Sequence, residues 1–202
     1  MPVKHLRIGI VGCGGIAKAH LAGYRHDDNV EIASVFDVST AAANAFASEC
    51  GSRIAHTTIE MALDDHLDAV SICTPPGMHL EVALPFVHAR IAVLCEKPLE
   101  ANALKAKQLY DEVLKRKTLF MTAYCHRFHP AVIELKKLVA IGTLGKPIFF
   151  RNIFGGYYKL KGNHRSVLGL SGGGCVIDNC SHSVDLFRFL VGEPTEIQAV
   201  IG

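Results

Sequence analysis

The chain has 202 residues, half of them apolar and a fifth charged, which is enough to build a core and excludes a disordered tail. Lys plus Arg is 21 and Asp plus Glu is 19; with Lys115–Lys117 as the longest basic run, this balance argues against nucleic-acid or membrane-surface partners. No stretch approaches the ~20 apolar residues of a membrane span, and the seven cysteines, without a Cys-x-x-Cys pair, read as reduced thiols of a cytoplasmic protein with no metal site.

Leu6–Val11 reads as a buried strand, after which Ile16, Ala17, Leu21 and Tyr24 recur at helical spacing. Glu31–Phe36 is the next strand, and Ser39 caps a helix over Thr40–Cys50 that Gly51 stops. A shorter strand fits near Ile54, and Asp68–Cys73 is a clear one. Glu81–Ala89 is helical, with Pro85 inside it or kinking it. Strand Ile91–Cys95, helix Asn102–Lys117 and strand Leu119–Ala123 follow. Strands alternating with helices over short connections predict a doubly wound parallel sheet covered on both faces.

The pattern changes after residue 124. A helix spans Pro130–Ile141 and ends at Gly142, and Ile148–Phe154 is rich in strand formers. A loop with Tyr157, Tyr158, Lys159, Lys161, His164 and Arg165 runs to Gly174. A helix over Cys175–Val191, ended by Gly192 and Pro194, precedes an alternating strand at Glu196–Ile201. The boundary near 124–128 gives domains 1–124 and 125–202.

Gly12-Cys13-Gly14-Gly15-Ile16-Ala17 matches G-x-G-x-x-A between a strand and a helix, where free N–H groups suit a pyrophosphate. Asp37, at the end of the second strand, suits ribose hydroxyls and repels a 2′-phosphate, so NAD is preferred over NADP. The bland reading is a glycine turn plus a helix-capping Asp. Thr74, Pro75, Pro76 and His79 follow the third strand at the carboxyl edge of the sheet, as cofactor contacts or as a plain linker. Glu96 and Lys97 leave the next strand toward the same crevice. The Lys97 ammonium can polarise a substrate oxygen, or it can simply pair with Glu96. Asp178, His182 and Asp185 share a helix face behind Gly172-Gly173-Gly174. A His between two carboxylates is expected to have a raised pKa, as a general base; a polar surface face would look the same.

In their order these pieces resemble the Gfo/Idh/MocA family of glucose–fructose oxidoreductase and inositol dehydrogenase-like enzymes, together with Arg127-Phe128. The resemblance implies an N-terminal Rossmann domain and a C-terminal α/β domain on an open, mostly antiparallel sheet. It implies hydride transfer between NAD and a secondary alcohol of a sugar or cyclitol. Lys97 matches the lysine that contacts the reacting oxygen, and its bond to Pro98 is expected to be cis. His182 matches the acid/base and Asp178 its partner carboxylate, whereas Arg127, Asn152 and Asp185 are expected at substrate hydroxyls. Cys180 stands where many members carry Gly. The chain is also shorter than family members, which predicts a truncated C-terminal domain and a homo-oligomer through its sheet. A cofactor-binding protein without turnover and an NAD-dependent glycoside hydrolase are the other readings.

Overall fold

The computed structural model describes residues 5–157 and 162–198. The first 124 residues alternate strand and helix: β1 (Leu6–Val11), α1 (Gly15–Tyr24), β2 (Val30–Phe36), α2 (Thr40–Cys50), β3 (Ile54–His56), α3 (Ile59–Leu63), β4 (Ala69–Ile72), α4 (His79–Ala89), β5 (Ala92–Cys95), α5 (Ala103–Arg116) and β6 (Phe120–Thr122). Every strand pair is parallel, in the order β3-β2-β1-β4-β5-β6. Strand order reverses between β1 and β4, so their carboxyl ends open a crevice where ligands of such sheets bind.

The expected caps are present. Ser39 accepts from the Ala42 amide and Gly51 closes α2 in the left-handed region; Asn102 accepts from the Leu104 and Lys105 amides to start α5. Successive strand residues point to opposite faces. Thus Ile10 and Val35 join Ala17, Leu21 and Phe46 under α1 and α2, while Val11 and Phe36 join Phe86, Val93 and Leu109 under α4 and α5. Both faces are buried, which is why the inner stretches Ile8–Val11 and Val35–Phe36 are continuous apolar runs rather than alternating ones.

Beyond residue 124, a 3₁₀ turn (Cys125–Phe128) leads into α6 (Pro130–Ala140). Then come a second 3₁₀ turn (His164–Ser166), α7 (Leu168–Ser171), α8 (Cys175–Asp178) and α9 (Cys180–Leu190). Two expectations are corrected here. Ile148–Phe154 forms no strand; among the described residues it has no strand to pair with, and it lies over α9 with the Phe150 and Phe187 rings 5.7 Å apart. The helix over Cys175–Val191 breaks at Asn179, because the Asp178 carbonyl accepts from Lys97 Nζ (3.0 Å) and Ser181 Oγ (2.8 Å) while the His182 amide bonds Asn179 instead. The strand expected at Glu196–Ile201 lies partly outside the described residues, and 196–198 carry no regular structure. Tyr158, Lys159 and Lys161 also lie outside them.

Candidate active site

A cavity of about 990 Å³ opens at the carboxyl edge of the sheet. Gly12, Gly14, Gly15, Ile16, Asp37, Thr74, Pro75, Pro76, Glu96, Lys97, Asp178 and His182 all line it, so one space joins the glycine loop to the expected catalytic residues. Gly12 sits at φ +88°, and a Cβ there would stand 2.9 Å from the backbone of Cys73 and Thr74, which makes glycine obligatory. Asp37 is fixed from both sides: one carboxylate oxygen accepts from the Cys13 amide (2.9 Å) and the other from the Ser39 amide (2.8 Å).

The far wall is brought in by backbone contact. Gly172, at φ +76°, lies so close to Ala101 that a Cβ would meet its carbonyl oxygen at 2.4 Å. That approach sets α8 against the Lys97 loop. Lys97 Nζ then donates to Asp178 Oδ1 (2.7 Å) as well as to its carbonyl, while Arg165 Nε donates to Asp178 Oδ2 (2.6 Å). Burial pushes the Asp178 carboxyl up, but the bonds from Arg165 and Lys97 outweigh it and hold the pKa below the usual carboxylate range.

Glu96 does not pair with the Lys97 ammonium. One of its oxygens faces His20 Nε2 (3.0 Å) and the other accepts from the Lys97 amide (3.1 Å); His20 Nδ1 in turn meets Ser71 Oγ (3.1 Å). Lys97 therefore has Asp178 as its counter-ion across the cavity.

His182 departs from expectation in its electrostatics. Its neighbouring carboxylates are engaged elsewhere, Asp178 by Lys97 and Arg165, Asp185 by Arg127. Burial, then the charges of Lys97 and His126, lower its pKa from 6.5 to about 4 against the opposing pull of Glu96 and Asp185. The imidazole is thus neutral at physiological pH, and its buried Nδ1 has no hydrogen-bond partner.

Five expected site residues stand off the cavity wall. Cys13 gives its amide to Asp37 and its thiol to the Phe36 carbonyl (3.4 Å), and burial raises the thiol to about 12. His79 is fully buried, with ring nitrogens on the carbonyls of Thr74 (2.9 Å) and Pro98 (3.0 Å), so it pins the two loops that carry the site. The Lys97–Pro98 bond is cis. Arg127 Nε donates to Asp185 Oδ2 (2.7 Å), tying the 3₁₀ turn to α9. Asn152 accepts from Ser183 Oγ (2.6 Å) at the surface. Conversely, His126, Phe154 and Asn163 reach the cavity without a sequence signal of their own, and His164 and Arg165 do so from the polar loop.

The cradle fits a dinucleotide. Gly14 and Gly15 face open space, the N-terminus of α1 has no side-chain cap and no acidic residue in its first turn, and Thr74 Oγ1 is buried without a partner. A model of the oxidoreductase family with an NAD-binding Rossmann fold matches residues 6–124, and one of the GFO/IDH/MocA C-terminal domain matches 132–202. The chain belongs to the Gfo/Idh/MocA family. Among its relatives, inositol 2-dehydrogenase of Rhizobium meliloti is 30% identical, over 96% of this chain and 58% of that protein. Levoglucosan dehydrogenase of Pseudarthrobacter phenanthrenivorans is 27% identical, over 98% and 54%. The crystal structure of an NAD binding oxidoreductase from Klebsiella pneumoniae superposes with a TM-score of 0.85 at 28% identity, over 93% of this chain and 53% of that one. The chain thus spans little more than half the length of these Gfo/Idh/MocA proteins.

Proposed function

We propose that the chain carries an NAD-dependent dehydrogenase site for a secondary alcohol of a sugar or cyclitol. The observation that supports this is one cavity that runs from the glycine loop and Asp37 to Lys97, Asp178 and His182. Gly12, Gly14, Gly15 and Ile16 with the α1 N-terminus would hold the pyrophosphate, and the fixed Asp37 carboxylate would take the ribose hydroxyls and disfavour a 2′-phosphate. A bound nicotinamide supplies the hydride acceptor.

The residues do the rest. Asp178 anchors the Lys97 ammonium through its carboxylate and its carbonyl, leaving the one remaining N–H to grip the alcohol oxygen as it gains alkoxide character. His182, neutral through burial, takes the hydroxyl proton. Arg165 shares the Asp178 carboxylate and keeps it ionised, so it does not compete with His182 for that proton. Arg127, Asp185 and Asn152, paired off the cavity wall, contribute to substrate hydroxyls only if their present bonds open.

In the same reading residues 125–202 open a substrate domain with an open, mostly antiparallel sheet through which copies of the chain associate. The exposed Ile148, Phe149 and Ile153 support it as surface a partner would cover. Seven free cysteines support a reducing, cytoplasmic setting. Size-exclusion at low concentration is expected to show a dimer or larger; a stable monomer overturns that part.

The chain has no Trp, so nicotinamide fluorescence reads cleanly. Titration is expected to show tight NADH and weak NADPH binding; binding of neither defeats the assignment. Lys97→Met is expected to retain NADH while turnover over a cyclitol and sugar panel falls about 10³-fold. Wild-type turnover in that variant removes Lys97 from the reaction.

A further inference from the structure

The cavity wall behind His182 carries a second constellation. Cys125 and His126 leave β6 on the 3₁₀ turn, and His182 reaches them from α9, 56 residues beyond His126 in the sequence. One donor atom from each lies within 4.8 Å of the others. The His126 ring stands edge-on to His182, with centroids 4.3 Å apart at 90°, and both line the cavity. Cys125 is exposed, which gives a cation a way in. His182 is 8% exposed, and its Nδ1 has no partner. A ring nitrogen buried without a hydrogen-bond partner leaves His182 with unused bonding capacity in the same place where a thiol and a second imidazole converge.

We propose that Cys125, His126 and His182 form a binding site for a thiophilic divalent cation of the zinc class. The donors are one thiolate and two imidazoles, which suit zinc and exclude magnesium or calcium, ions that require oxygen ligands. Zinc bonds of about 2.0–2.3 Å place donors roughly 3.3–3.7 Å apart, so donors that already lie within 4.8 Å of one another need only a small side-chain closure to bind. The Cys125 thiol gives its proton to solvent, and the resulting thiolate offsets the nearby Lys97 charge, which Asp178 already neutralises in part. Three protein ligands leave a fourth position for water.

Binding itself is independent of the dehydrogenase reading. Its consequence is not: a cation on His182 occupies the imidazole that the proposed reaction needs as a proton acceptor, so metal and turnover exclude each other.

Cobalt(II) is the probe, titrated into the full chain and followed by absorbance. One equivalent is expected to give the visible bands of a tetrahedral ion together with a thiolate-to-cobalt charge-transfer band. Cys125→Ser is expected to abolish the charge-transfer band, and His126→Gln to weaken binding at least about 10-fold, with circular dichroism unchanged in both. Cys175→Ser, at the other exposed cysteine, is expected to leave the spectrum as in wild type. Absence of a tetrahedral spectrum under excess cobalt, or a charge-transfer band that survives Cys125→Ser, overturns the site. NADH titration of the same samples separates that failure from a failure of the nucleotide cradle. Zinc is then expected to suppress turnover reversibly; a bound cation that leaves turnover unchanged defeats the inhibitory part alone.

Discussion

The two parts of the chain are held by different physics. Residues 6–124 form a sheet packed on both faces, and its buried apolar side chains supply nearly the whole core. Among the described residues beyond 124, only Leu186 and Leu190 are buried apolar core, and ion pairs, hydrogen bonds and half-buried ring contacts such as Phe150 on Phe187 hold the rest. The first region specifies its half of the cavity through backbone register, where a strand must end and a helix begin. The second is brought up by the Gly172–Ala101 backbone contact, and its functional side chains are then set by long-range polar contacts, Lys97 to Asp178 across 81 residues and Arg127 to Asp185 across 58. Backbone sites resist polar substitution but not added volume; polar sites behave the other way round.

Glycine substitutions give the largest contrast. Gly12→Val puts a branched side chain against the Cys73–Thr74 backbone at positive φ. It is expected to cost roughly 3–5 kcal/mol of stability from strain plus overpacking and to abolish NADH binding. Gly14→Ala meets nothing within 4 Å, so its stability cost stays under about 1 kcal/mol while NADH binding weakens. Urea unfolding and NADH titration of both variants check this. Equal loss of stability would mean that the two glycines serve the fold alone.

The polar half breaks at Arg127. Asp185 is 5% exposed and its carboxylate is held by the guanidinium. Arg127→Met leaves that charge unpaired and is expected to destabilise by about 2–3 kcal/mol. Adding Asp185→Leu should recover part of the loss, because no buried charge remains. A single variant with wild-type thermal stability but a raised KM would instead move the pair to substrate binding.

Legibility in the sequence follows the same division. Periodicity, Ser39 and Gly51 placed the Rossmann strands and the helices α2, α4 and α5 to within a residue or two, because each signal is local, whereas the five-residue α3 is too short to show a period and was not read. The G-x-G-x-x-A loop and Asp37 were readable for the same reason. Chemistry-bearing residue types at Lys97, Asp178 and His182 were also visible, but their partners were not. Nothing local tells that Asp178 goes to Lys97 and Arg165 rather than to His182, and so the direction of the His182 shift was opposite to expectation. The break at Asn179 was hidden likewise, since its cause is a lysine 81 residues away. His126 was missed because only the fold sets it on His182.

The shift on His182 offers a smaller test. Its folded pKa, about 4, lies below the unfolded value near 6.5, so in that window the unfolded chain binds the proton and the folded one does not. Stability from this group is complete above pH 6.5 and is lost as pH falls toward 4. The loss is on the order of 2 kcal/mol. Asp178, with its lowered pKa, adds its loss only below the ordinary carboxylate range. Urea midpoints from pH 7 to 4.5 are expected to fall more steeply for wild type than for His182→Gln. Parallel curves would mean that His182 is solvated rather than buried.

The smallest contrast sets two asparagines side by side. Asn102 Oδ1 accepts from the amides of Leu104 and Lys105 at 2.9 and 3.3 Å, supplying the helix start with acceptors that the backbone cannot provide. Asn102→Ala is expected to cost about 1 kcal/mol. Asn152 Oδ1 accepts from Ser183 Oγ at 2.6 Å, but Asn152 is exposed and the bond lies at the surface, so water can replace either partner. Asn152→Ala is therefore expected to stay within about 0.5 kcal/mol of wild type. The geometric bond is shorter in the pair expected to matter less. Length thus decides little where solvent competes, and a larger cost at Asn152 than at Asn102 would mean that the segment over α9 is held more firmly than its exposure allows.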